Sequence, residues 1–235
     1  MFDVIICRNE NLKPESKIAF VVGKSGVYIK RETQFYKSLT KSKKFQIPVL
    51  SDPKEWIELK SSFNFPMELM NITYSFFLDV YKKYHSEAIV LIYIDNDNQY
   101  YLSAPKQMVS GGHLSYSNNI LHPQELSLFG TIHSHGNMNA FHSSVDSNDE
   151  QYFDGLHITL GNIDKTPSMS ISIVVDGFRA IVKDPNKIIS NFGRFQYAKY
   201  PSEWMTQVSQ AQPIRHQYTN HYPNWLTSNF HNMNW

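Results

Sequence analysis

Seven consecutive apolar residues, Ala88-Ile89-Val90-Leu91-Ile92-Tyr93-Ile94, constrain this chain more than any other stretch of it. The run is short, unbroken and largely β-branched, which suits a strand buried on both faces. Just upstream, Leu69, Ile72, Thr73, Phe76, Val80 and Tyr84 recur at three- and four-residue spacing, the period of a helix with one buried side. Pro66 suits its start, because the first N–H groups of a helix have no intrahelical partner to lose. The spacing therefore predicts a helix from Pro66 to Tyr84 that delivers the chain into a central strand. Asp95-Asn96-Asp97-Asn98 then reads as a turn, and Gln99–Ser103 as a partner strand stopped by Pro105.

Similar signals recur on either side. Lys17–Lys30 holds two β-branched runs around Gly23–Gly26, a hairpin pattern. Followed by polar residues near Thr40–Lys44 and the turn Ser51-Asp52-Pro53, it makes residues 1–60 a small β-rich N-terminal region. Leu128-Phe129-Gly130-Thr131-Ile132-His133 reads as a strand entering a histidine-rich loop. Residues 144–154 read as a short helix stopped by Gly155, with Asp149 and Glu150 on its exposed face. Leu156–Leu160 and Ser170–Val175 are further strands, and Asp176-Gly177 turns the second into Phe178–Val182. Mixed helices and strands with antiparallel hairpins predict an α/β (α+β) fold, a mixed sheet flanked by helices over residues 61–192. Residues 193–235 form an aromatic-rich C-terminal tail with Trp204, Trp225 and Trp235, expected to wrap the domain.

Composition narrows the function classes. Hydrophobic residues make up 41% of the 235 and charged residues 18%, enough apolar content for a core. Lys+Arg at 22 against Asp+Glu at 21 leaves a net charge of +1, so no global field draws in nucleic acid or an anionic membrane. No run approaches the ~18 apolar residues of a membrane helix, and the first eight residues carry neither a basic lead nor a small-residue cleavage site. A cytoplasmic, reducing setting is expected. The single Cys7 excludes a disulfide framework and a multi-cysteine zinc site. A bound metal would have to be taken by carboxylates and the ten histidines.

One segment offers such a set. His133-Ser134-His135 stands at the end of a predicted strand, where side chains alternate and the two imidazoles project to one side. Ser143-Ser144-Val145-Asp146 follows after seven residues. Two imidazoles and a carboxylate match a catalytic zinc site with three protein ligands and an open fourth position. Singly, each piece is weak: an H-x-H pair arises by chance in roughly 0.4 of chains of this length and histidine content. Ser143-x-x-Asp146 also fits a helix N-cap.

The joint pattern H-x-H-x7-S-x2-D resembles the signature of the JAMM (MPN-plus, or JAB) zinc metalloproteases, of a prokaryotic or phage type. The resemblance covers roughly residues 66–185 and departs at one place: Gly136 stands where the family usually has proline. It implies a cytidine deaminase-like JAB/MPN domain with Zn2+ held by His133, His135 and Asp146, and Ser143 helping to hold the oxyanion. It also implies a glutamate at a helix–strand junction upstream as general base. Glu87 occupies that junction, with Glu68 and Glu125 as the other acids to consider. The implied activity is hydrolysis of an amide or isopeptide bond in a protein or peptide, in this family commonly a ubiquitin-like conjugate. Prokaryotic relatives act near ubiquitin-like carriers, E1-like enzymes or other modules. The alternative is a catalytically inactive MPN-type scaffold that binds a partner. A deaminase is set aside, because its H-x-E…P-C-x-x-C signature needs cysteines this chain lacks.

Overall fold

The computed structural model describes residues 3–61, 63–111, 113–117, 126–141, 150 and 152–211. Of these, 43% are strand and 14% helical, arranged as four sheets with two α-helices. The expectation of an α/β (α+β) domain, a sheet flanked by helices in a cytidine deaminase-like JAB/MPN fold, is overturned: the protein is mostly β. The excess strand comes from segments without a periodic apolar pattern. Tyr36–Lys44, whose polar end had marked a connection, is a nine-residue strand. A strand paired on both edges needs backbone partners, not apolar side chains, so Lys-rich sequence conceals it.

The N-terminal sheet runs β1 (Asp3–Ile6), β2 (Ile18–Gly23), β3 (Gly26–Glu32), β4 (Tyr36–Lys44), β5 (Trp56–Leu59) in spatial order. β1 and β2 are parallel and every later pair antiparallel. Its own core is small, built from Cys7, Val21, Tyr28 and Leu39. The sheet is tied to the rest of the molecule by Arg31, whose guanidinium grips Asp176 at 2.5 and 3.0 Å, and by Thr40 Oγ1, which donates to the same carboxylate at 2.8 Å. Phe35 packs at a tilt against Phe129 nearby, ring centres 4.6 Å apart.

After the two-residue strand β6 (Phe65–Pro66), helix α1 spans Met67–Tyr84. Pro66 holds an extended φ of −67° at its N-cap, and His85 ends it in a left-handed conformation with its N–H donating to Tyr81 O. Met67, Met70, Thr73, Phe76, Phe77 and Val80 form its buried side.

The chain then enters the central sheet, in the order β14 (Phe178–Ile181), β13 (Ser168–Val175), β12 (Gly155–Gly161), β11 (Ser127–Ser134), β7 (Ile89–Ile94), β8 (Tyr100–Ser103). Only β11 and β12 are parallel. On one face Val90, Ile92, Ile132, Leu156, Ile158, Leu160, Ile171, Ile173 and Val175 join the buried side of α1 in the main core. All six residues of β7 are buried, as a strand covered on both faces requires.

A third sheet packs β10 (His113–Tyr116) on β9 (Gln107–Ser110), with β16 (Val208–Gln210) on the other side of β9. Gln107 anchors it to β7: its amide accepts from Ile89 N–H at 2.9 Å and donates to Ile89 O at 3.0 Å. That side chain thus satisfies backbone groups lying beyond the reach of β8. The fourth sheet pairs β6 with β15 (Ile189–Ser190). The described part of the tail lies along α1, where Trp204 packs edge-on against Phe76 and the hydroxyls of Tyr197 and Tyr200 donate to Asp79. Trp225 and Trp235 lie outside the described residues. No described helix is long and apolar enough to cross a membrane.

Candidate metal centre

The opposite face of the central sheet is polar where it crosses β11, β12 and β13. Side chains alternate along a strand, so Thr131 and His133 on β11 face away from core residue Ile132. Register sets Thr131 beside His157 and His133 beside Thr159 on β12, and His157 beside Ser172 on β13. All five are buried.

His133 is the penultimate residue of β11, and His135 follows just past its end. The chain stays extended between them because Ser134 is held twice: its N–H donates to Ala88 O at 2.9 Å, and its Oγ accepts from Ala88 N–H at 3.0 Å. The His135 N–H then donates to Leu160 O at 2.7 Å. The two imidazoles therefore lie on one side, and their Nε2 atoms converge to 3.3 Å. Only 6% of His133 and 4% of His135 remain exposed.

That separation bears directly on metal. With Zn–N bonds of about 2.0–2.1 Å and tetrahedral angles, two ligating nitrogens lie about 3.3–3.4 Å apart. The pair fits this chord without movement. Among the described residues, no group of three or more His, Cys, Asp or Glu is placed to hold a metal ion. The other two members of the motif, Ser143 and Asp146, lie outside the described residues, as do His142 and Glu125.

Glu87 is half-buried and stands two residues before the start of β7. In the β11–β7 register His133 stands opposite Ile89. The paired register ends there, two residues short of both Glu87 and His135. Glu68, by contrast, is exposed in the first turn of α1.

Two residues at this site escaped the sequence reading. Glu150, expected on an exposed helical face, is only 5% exposed. Its burial is compensated by Arg179 on β14, whose Nη1 lies 2.6 Å from Oε2 and also donates to Ser172 Oγ at 2.5 Å. Glu150 Oε1 is 3.8 Å from Nδ1 of both His133 and His157. His157 itself is a satisfied core residue. Its Nε2 lies 2.9 Å from Phe153 O, which can only accept, so that nitrogen carries a proton, and its Nδ1 shares a hydrogen bond with Thr131 Oγ1 at 2.9 Å. One signal for Arg179 was available in principle: strand alternation in the hairpin after Asp176-Gly177 puts it on the polar face.

The backbone at Gly136 would not accept the proline of the motif it resembles. Its φ is +55°, far from the value near −65° that a proline ring enforces. A side chain there would also press on the Tyr81 ring, 3.0 Å from a built Cβ. The turn sends the chain over the end of β12, where Met138 O accepts from Asn162 N–H at 2.7 Å and Gly136 O from Ile163 N–H at 3.0 Å. Phe141, about half exposed, then meets His135 edge-on with centres 4.7 Å apart. Comparison with family models and with curated proteins finds no match for this chain.

Proposed function

We propose that the chain is a zinc-dependent metallopeptidase of JAMM type that hydrolyses an amide or isopeptide bond in a protein substrate. The observation that carries the proposal is the 3.3 Å approach of two buried imidazole Nε2 atoms, the spacing two zinc ligands require. The motif spacing adds Asp146 as the third ligand and Ser143 as a hydroxyl donor. Zinc, when bound, supplies Lewis acidity and lowers the pKa of a coordinated water to about 7.

The chain's own residues carry the remaining work. Glu87 takes a proton from the attacking water and delivers it to the leaving nitrogen, a transfer that typically contributes about 10²–10⁴ in rate. A half-buried carboxylate just upstream of β7 suits a group that must reach both partners. The Ser143 hydroxyl donates to the oxyanion that forms at the scissile carbonyl. Met138 and Phe141, both about half exposed on the turn after His135, offer an apolar rim for a substrate side chain. A ubiquitin-like conjugate or precursor, an E1-like or similar partner module and a cytoplasmic location belong to the same proposal.

Elemental analysis of the purified chain, followed by peptidase assays on ubiquitin-like fusions, tests it. Zinc near one per chain is expected, lost in His135→Ala and in Asp146→Asn. Glu87→Gln should keep the zinc and lose turnover by about 10²-fold or more. A chain that takes up no zinc and cleaves nothing would instead be the partner-binding scaffold, its two rings joined by an N–H···N hydrogen bond.

A further inference from the structure

The zinc reading accounts for His133 and His135 but not for the ionic pair buried behind them. We propose that Glu150, clamped by Arg179, is a positioning residue that fixes the tautomer and aim of His133; this rests on the metallopeptidase reading above. A histidine that ligates through Nε2 must present a lone pair there, which puts its proton on Nδ1. Nδ1 of His133 faces Glu150 Oε1 at 3.8 Å, as does Nδ1 of His157; this is too long for a hydrogen bond, but a carboxylate there favours the Nδ1–H form of a ring whose Nε2 lone pair is given to a metal. On the far side of the ring, Nε2 lies 3.3 Å from His135 Nε2 and 3.4 Å from Thr159 Oγ1.

Glu150 cannot hold this place alone. A carboxylate only 5% exposed needs a counter-charge, and Arg179 supplies it at 2.6 Å while its second contact, to Ser172 Oγ at 2.5 Å, ties the pair to β13. The order running across the sheet is therefore Ser172, Arg179, Glu150, His133, His135, with charge at its centre and imidazole at its open end. The competing role for the carboxylate is structural, as a mere partner for Arg179.

A set of three variants separates the two roles: Glu150→Gln, Arg179→Met, and both together. Zinc affinity is read by competition with a chromogenic chelator, the ligand field by the visible absorption of the cobalt-substituted protein, and folding by Tm. Glu150→Gln should weaken zinc about 10–100-fold, the usual effect of losing a partner behind a ligating histidine, and shift the cobalt bands. Arg179→Met should give the largest fall in Tm, because it removes the guanidinium 2.6 Å from a buried carboxylate. The double variant should regain most of that Tm but keep the weakened zinc affinity. Wild-type affinity and cobalt spectrum in Glu150→Gln and in the double variant would overturn the positioning role while leaving the metal site standing. A wild-type chain that binds neither zinc nor cobalt would overturn both.

Discussion

The two faces of the central sheet are made by the same strands, one residue out of phase. On one face Ile132, Ile158, Leu160, Ile171 and Ile173 pack with α1 in the main core. On the other, Thr131, His133, His157, Thr159 and Ser172 are buried about as deeply. Burying a hydroxyl or an imidazole costs about 1–3 kcal/mol unless a hydrogen bond replaces water. The polar face meets that cost with bonds such as Thr131 to His157, His157 to Phe153 and Arg179 to Ser172. Valine or leucine at these places would satisfy packing with no network at all. A buried polar row that apolar residues could replace is where the proposed metal site would sit, since local folding rules tend to yield at functional sites.

Breaking the apolar face should have the largest effect on stability. Phe76 is fully buried and touches Phe77, Tyr200 and Trp204. Phe76→Ala is expected to cost about 3–5 kcal/mol by denaturant unfolding. Zinc bound per folded chain should be unchanged, since the ring lies across the sheet from His133. A zinc loss matching that of His135→Ala would show that the two faces are not independent.

Disturbing the polar face away from the proposed metal ligands should cost less and be partly reversible. His157→Leu strands the Thr131 hydroxyl and the Phe153 carbonyl, an expected loss of about 1–3 kcal/mol. Adding Thr131→Val removes one stranded group and should recover part of it, because replacing both partners with apolar groups can be nearly neutral. A double-mutant cycle reads the difference. Purely additive losses would mean the Thr131–His157 bond contributes nothing to the network.

The same two faces explain what the sequence disclosed and what it hid. Helix α1, the hairpin β2–β3, strand β7 and the turn at Asp176-Gly177 were legible because each is local: a 3.6-residue period, a glycine pair, a β-branched run, and two positive φ angles of 51° and 79°. The fold class was not. β16 pairs with β9 from far along the chain, and β4, although it forms a hairpin with β3, shows no strong alternation of buried and exposed side chains. At the site, the His133–His135 convergence follows from strand alternation alone. The Glu150–Arg179 pair does not, because its partners come from segments 29 residues apart and meet only when β13 and β14 close the sheet's edge.

The smallest expected effect lies at the junction of the two faces, in the turn that follows His135. Gly136 holds φ at +55°, a left-handed conformation that costs a residue with a Cβ about 1–2 kcal/mol. Gly136→Ala should therefore lower stability by about 1 kcal/mol. Gly136→Asn should lose less to the backbone, since asparagine tolerates this region, although either Cβ meets the Tyr81 ring. Zinc affinity is expected to fall only slightly in both, because His135 is held from the other side by its N–H bond to Leu160. Tyr81→Ala in the Gly136→Ala background separates the two contributions. If the ring contact dominates, the loss on adding the Cβ shrinks; if φ dominates, it stays. A wild-type Tm in Gly136→Ala would mean that the turn relaxes away from its left-handed form, and with it the reason proline is absent here.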